Sequence, residues 1–366
     1  MSVPTQTAVV IETPKAPFIV KSGIAIPKPA AGQVLLKVMA VGLNPMDPMR
    51  RSMNMLIDSY PAILGSDIAG VIEEVGQGVQ GWKKGDEVFC SDTAGGYQQY
   101  HVINEPFLIR KPANVSFDQL ATVLITGCTS LNGLYAPSPI GLGLNPTFSS
   151  DKPQSGKSAF VLGAATSCGQ YAIQYLKLAG FTRIVAYASG KHTEYLASLG
   201  ATAIIAREST TMVDLVSHPA ISAAPFDVVF DALLAMASDA ASALDIAHDI
   251  VKPNGQLATV NPRSVLSPDR LAQNKGVELV RAFGYYVGPD GGKPPSDLGF
   301  GAKPEHTAFG KLIKEHLPRL LETGQLLPNR VEVLPNGLAG IVKGLGRWTG
   351  GEGVSGVKLY QSVLKS

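Results

Sequence analysis

Apolar positions along this chain follow two rhythms. In the first third they come as short runs broken by glycine and proline. Val34, Leu35, Leu36 and Val38 in QVLLKVMAVGLNP predict a strand ending near Gly42, and VIEEVGQGV and DEVF predict two more short extended segments. From Ser158 the pattern changes. SAFVLGAAT is an apolar strand running into small residues, and Ala172, Tyr175, Leu176 and Ala179 then recur at helical spacing. RIVAYAS, ATAII, FDVVFDAL and GQLATV continue as strands, with helical KHTEYLASLG and SDAASALDIAHDI between them. Strands alternating with helices predict a parallel sheet covered on both faces. Between the two rhythms, residues 137–157 hold many Gly, Pro and Ser without periodicity and predict a surface loop. After Val277 the grammar is mixed again: a strand in VELVRAFGYY, a Gly/Pro loop, a helix in HTAFGKLIKEHLPRLLETG, the strand VEVLP, another helix and the terminal strand GVKLYQSV. This tail is expected to rejoin the first region.

Composition narrows the function classes. The 366 residues are 45% hydrophobic and 16% charged with a net charge of +2, which argues against disorder and against a nucleic-acid partner. No apolar run reaches the roughly 18 residues of a membrane span, and the N-terminus lacks a secretory pattern, so a cytoplasmic location is expected. The three cysteines, Cys90, Cys128 and Cys168, are too few and too far apart for a disulfide framework or a CxxC site and read as reduced thiols. The six histidines form no HExxH or comparable ligand motif, so no metal is expected; His101 is read as shaping a cleft.

The sharpest local constellation is Gly163, Ala164, Ala165, Thr166, Ser167, Cys168 and Gly169, between an apolar strand and an amphipathic helix. Small side chains there let a dinucleotide pyrophosphate approach backbone amides and the helix N-terminus. Thr166 and Ser167 serve either as phosphate donors or as helix caps. At the end of the next strand an NAD site usually places Asp or Glu, whereas a 2′-phosphate needs neutral donors or cations. Here the chain reads Ala188, Ser189, Gly190, Lys191 and His192, with no carboxylate before Glu194. NADPH is therefore the expected cofactor, with Ser189 and Lys191 as phosphate contacts, Arg207 as a third and His192 beside them.

Taken together, GLNPMD (42–47), YPAILGSDIAGVIEEVGQGVQGWKKGDEVF (60–89), GGYQQY (95–100) and VLGAATSCGQ (161–170) occur in the order found in the medium-chain dehydrogenase/reductase superfamily. The chain resembles its zinc-independent quinone and enoyl reductase branch, and within it the fungal trans-acting enoyl reductases that serve polyketide synthases. TSLNGLY (129–135), TVNP (259–262) and the ending GLAGIVKGLGRWTGGEGVSGVKLY add to that likeness. The resemblance implies an α/β protein: a GroES-like catalytic domain from residues 1–135 and 277–366, and a Rossmann NADPH-binding domain with a doubly wound parallel sheet and an N-terminal loop from 136–276.

Zinc alcohol dehydrogenases of the superfamily place a cysteine where this chain has Asn44 and a His-Glu pair where it has Ser66 and Asp67, so the resemblance implies hydride transfer without a Lewis acid. The implied substrate is an α,β-unsaturated polyketide thioester on a polyketide synthase or its acyl carrier protein, in secondary metabolism. By the same likeness Asn44 positions the reactants, Asp47 organises the pocket, and Thr129, read as part of a Thr-Ser turn, contacts the nicotinamide. NPMD reads equally as a turn held by side-chain bonds. Asn261 joins the cofactor contacts, while Met46, Phe283, Tyr285 and Tyr286 line the substrate pocket. Arg50 and Arg51 suggest a basic entrance for an acidic carrier. Two other readings stay open: a freestanding quinone or enone reductase for small substrates, and a reductase-like protein with a scaffolding or non-redox role. Monomer and homodimer both stay open.

Overall fold

The computed structural model describes residues 3–93, 95–234, 239–284, 304–349 and 354–363. The chain divides into two compact units, Met1–Ile125 with Val287–Gly324 and Pro328–Ser366, and Thr126–Tyr286 with Gln325–Leu327.

In the first unit a hairpin of β1 (Thr5–Val10) and β2 (Ile19–Ala25) precedes β3 (Gln33–Gly42), β4 (Asp67–Val75), β5 (Glu87–Ser91), β6 (Tyr100–Asn104) and β7 (Ile109–Arg110). The ten residues of β3 make it the organising strand, antiparallel to both β4 and β6. Helix α1 (Met46–Met53) follows β3, so the second half of NPMD, read as a turn, is the start of a helix with Pro45 at its N-cap position. Further on comes α2 (Phe117–Leu120), opened by a Ser116–Gln119 capping box, and then α3 (Leu124–Tyr135), all of it from Thr126 onward belonging to the second unit. Thr129 therefore lies inside a helix and not in a turn. The segment holds no proline, and Leu124, Cys128, Leu131, Leu134 and Tyr135 are buried, so packing sustains the helix through its polar residues.

The second unit carries the alternating pattern. Strands β8 (Ser158–Leu162), β9 (Arg183–Ala188), β10 (Ala203–Ala206), β11 (Phe226–Asp231), β12 (Val251–Thr259) and β13 (Glu278–Arg281) form a parallel sheet in the order β10-β9-β8-β11-β12-β13. Helices α4 (Ser167–Ala179) and α5 (Thr193–Leu199) return the chain between the first three strands. Phe160, Val161, Leu162, Val229 and Phe230 are fully buried, as a sheet covered on both faces requires. Burying each such side chain contributes about 1.5–3 kcal/mol.

Two expectations about this region change. The segment after Val277 supplies β13, parallel to β12 from Gln256–Glu278 to Thr259–Arg281, so the first stretch of the tail completes the second unit's sheet. Alternating cross-strand burial at Leu279 and Val280 holds it there. Residues 137–157 have no regular structure, yet Leu142, Leu144, Asn145 and Gln154 are buried. The Leu142 and Leu144 amides donate to Gly133 and Leu134 carbonyls at the end of α3, which anchors this part of the loop in the core.

The chain then returns to the first unit as β14 (Val331–Val333) and β15 (Lys358–Ser362). β15 is antiparallel to β3, with Tyr360 opposite Gly42. Among the described residues no helix is long and apolar enough to cross a membrane.

Candidate functional site

In the second unit the site begins where β8 ends. Gly163 has φ +72°, and a Cβ there would lie 2.6 Å from Leu233 Cδ2. At Gly169 a Cβ would lie 2.5 Å from the Gly163 carbonyl oxygen, so this glycine lets α4 pack directly on the turn. Thr166 caps α4: its Oγ1 accepts the Gly169 N–H at 3.0 Å. That is the capping role. The first-turn amides of a helix carry no intrahelical acceptors, so the turn presents donors of the kind a pyrophosphate takes. Gln170 braces the turn, donating to the Ala165 carbonyl at 2.9 Å and accepting from Tyr195 Oη at 2.8 Å. A tightly packed glycine turn at the N-terminus of a thirteen-residue helix fits a dinucleotide phosphate.

The next strand end looks different from its sequence. Ser189 is buried, Lys191 is exposed and His192 is buried. Because Ala206 of β10 pairs with Ala188 of β9, the chain leaving β10 runs beside Ser189. Arg207 N–H donates to the Ala188 carbonyl at 2.9 Å. Glu208 then reaches across, accepting from Ser189 Oγ at 2.5 Å and from Gly190 N–H at 2.9 Å. Those hydrogen bonds, led by Ser189, lower its carboxyl to about 2. A carboxylate is thus present at this strand end, supplied by the neighbouring strand. The pattern around β9 gives no sign of it, because Glu208 follows β10 and reaches this strand end only through sheet pairing.

Further along the same sheet Asp231 and Thr259 end β11 and β12. Asp231 accepts the Leu233 N–H at 3.1 Å and the Thr259 hydroxyl at 2.8 Å, while burial pushes its carboxyl up to about 6. Asn261 is buried, and its side-chain oxygen accepts the Arg263 N–H at 3.2 Å. Thr129 is half-buried on α3. Phe283 is half-buried, with its carbonyl accepting from Asn132 Nδ2 at 2.6 Å. Tyr285 and Tyr286 lie outside the described residues.

In the first unit β3, β4 and β15 bring three residues together that are up to 314 positions apart. Lys358 Nζ donates to Asn44 Oδ1 at 2.6 Å and to Asp67 Oδ2 at 3.0 Å. Asn44 Nδ2 donates to the same Asp67 oxygen at 3.0 Å, and Ile125 N–H donates to the other at 2.7 Å. Lys358 and Asp67 are 3% and 0% exposed, so the pair is fully withdrawn from water. Asp47 sits in an adjoining group, accepting from Tyr97 Oη at 2.7 Å and from Asn44 N–H at 3.2 Å. Burial raises its carboxyl above the usual range despite those donors and the nearby Arg50. Met46 is half-buried at the start of α1.

Two positions where zinc enzymes of the resembling superfamily carry ligands, Asn44 and Asp67, are therefore bridged by an ammonium group. Among the described residues no three His, Cys, Asp or Glu side chains are grouped to hold a metal. Lys358 had one sequence signal: it is the lone charged residue of the terminal strand segment KLYQS.

The basic entrance is not formed as expected. Arg50 is buried, donating to the carbonyls of Thr93 and Leu56 beside a cavity of about 180 Å³. Arg51 donates to Lys15 O at 3.1 Å and stacks over Phe18. Both guanidiniums tie loops together within the first unit. His101 is buried on β6, with Nε2 3.1 Å from Asp92.

Comparison with known proteins places this geometry. The alcohol dehydrogenase GroES-like domain family matches residues 30–113. The dehydrogenase pigH of Monascus ruber is 33% identical over 211 residues, and the match spans only 56% of that protein and 54% of this chain. The trans-enoyl reductase tazE of Aspergillus terreus is 32% identical over 219 residues, 56% of this chain and 70% of the relative. Among solved structures, an alcohol dehydrogenase superfamily protein from Novosphingobium aromaticivorans superposes with a TM-score of 0.75 at 25% identity, over 98% of this chain and 100% of that one. With a GroES-like first unit, a Rossmann-type parallel sheet in the second and a reductase matched over more than two thirds of its length, this chain belongs to the medium-chain dehydrogenase/reductase superfamily.

Proposed function

We infer that this protein is an NADPH-dependent enoyl reductase that acts in trans on an α,β-unsaturated polyketide thioester carried by a polyketide synthase. The observation that carries this reading is the Gly163–Gly169 turn, where Gly169 admits the packing of α4 on the turn after β8 and a helix N-terminus follows, of the kind that takes an anion. The name of the Aspergillus relative supports the enoyl chemistry.

When bound, NADPH supplies the hydride that goes to the β-carbon of the substrate. With hydride delivered to the β-carbon, solvent would supply the proton to the α-carbon, so no side chain of this protein is assigned as the acid. Thr166 and Gln170 hold the phosphate turn in shape, and Lys191 and Arg207 supply cations for the 2′-phosphate. Asn44, fixed between Asp67 and Lys358, commits one amide N–H to Asp67 and keeps a second donor for orienting the reactants. Asp47, held by Tyr97, organises that pocket.

The test is consumption of NADPH with a carrier-bound enoyl thioester, its pantetheine analogue and a short enone, with mass spectrometry of each product. Gain of two hydrogens, fastest on the carrier-bound substrate, is the expected result. Equal turnover of the short enone would instead make this a freestanding enone reductase. Product formed without NADPH oxidation would make it non-redox.

A further inference from the structure

The strand end that selects the cofactor carries a feature that the cation-based reading does not use. Glu208 lies on the chain leaving β10, and its two carboxylate oxygens take the Ser189 hydroxyl at 2.5 Å and the Gly190 amide at 2.9 Å. Those are the neutral donors on which a 2′-phosphate at the end of β9 depends. Arg207, the neighbouring cation, has its Nε 3.7 Å from the same carboxylate. The Glu208 and Arg207 side chains are 56% and 61% exposed, so both are open to a ligand arriving from solvent. A doubly charged phosphate placed there meets a like charge and competes for donors already taken. A ribose bearing a free 2′-hydroxyl meets an acceptor instead.

We propose that Glu208 is a cofactor-selecting gate: latched on Ser189 and Gly190 it admits the ribose hydroxyl of NADH, and it must swing away for the 2′-phosphate of NADPH. The gate rests on the dinucleotide reading given above, and it sets how strongly that site discriminates between the two nucleotides. Hydrogen bonds from Ser189 and Gly190 favour the ionised carboxylate and hold the group well below the usual carboxylate range. Protonation therefore does not open the gate; only displacement does. Ser189 and Lys191 alone would give a strong preference for NADPH, and Glu208 narrows it.

Equilibrium titration of the full-length protein with NADPH and with NADH separates these roles without reference to turnover. Glu208→Gln keeps the length and the acceptor oxygen and removes the charge; Glu208→Ala removes the latch altogether. Both variants are expected to bind NADPH about tenfold more tightly than the unaltered protein, while NADH affinity stays the same or weakens. Equal shifts for both nucleotides, or no shift in either, would overturn the gate and leave the dinucleotide site standing. Failure of all three proteins to bind either nucleotide would overturn the dinucleotide reading, and the gate with it.

Discussion

Two clusters in this chain are built from the same parts, a carboxylate, a cation and neutral polar groups. In the first unit Asp67, Lys358 and Asn44 are sealed from water by β3, β4 and β15. In the second, Glu208, Arg207 and Ser189 meet at the open edge between β9 and β10. Burial separates what the parts do. A charge inside the protein has no water to fall back on, so each partner is indispensable to the other. A charge at the surface is replaceable for stability and free to act on whatever binds next to it.

The comparison breaks most visibly if Lys358 is removed. Lys358→Met leaves the Asp67 carboxylate buried without its cation, and a loss of about 3–5 kcal/mol in unfolding free energy is expected from denaturant titration. Adding Asp67→Asn to the same chain should restore much of that loss, because the stranded charge is then gone. A Lys358→Met protein as stable as the original would show that the pair is not desolvated as described.

Asp231 sharpens the contrast, since it is a buried carboxylate held by hydrogen bonds from Leu233 and Thr259. Burial pushes its folded-state carboxyl up to about 6, whereas an unfolded aspartate titrates near 3.9. Between those values the folded protein keeps a proton that the unfolded chain has lost. The stabilisation this gives is fully present below about pH 4 and disappears as the pH rises through about 6. Asp231→Asn should therefore raise stability above pH 6, by up to about 3 kcal/mol, and the advantage should vanish toward pH 4. Melting temperatures across that range check the sign; an advantage independent of pH would sink the assignment.

A smaller effect is expected at the phosphate turn. Thr166→Ala removes the acceptor for the Gly169 amide and should cost about 1 kcal/mol, with Thr166→Ser recovering most of it. If alanine and serine behave alike in thermal unfolding, the cap is not held as the hydrogen bond indicates.

Much of the fold was legible beforehand. Apolar β8, β9 and β11 with helices between them read as a parallel sheet because strands buried on both faces are apolar throughout, and that signal is local. Gly163 and Gly169 were legible for a related reason: close backbone approach leaves room for no other residue. Thr129 was misplaced because its Thr-Ser pair favours turns only until neighbouring apolar residues pack a helix.

The alternation of strands and helices in the second unit, the glycine turn suited to a phosphate and the superfamily resemblance were all written in the local sequence, because each depends on residues near one another along the chain. Tertiary structure alone decided which side chains meet. The register of β15 on β3 carries Lys358 to Asn44 and Asp67, and the pairing of β10 with β9 delivers Glu208 to Ser189. Strand register is set by packing over the whole sheet, so a contact across hundreds of residues leaves no trace in the local pattern.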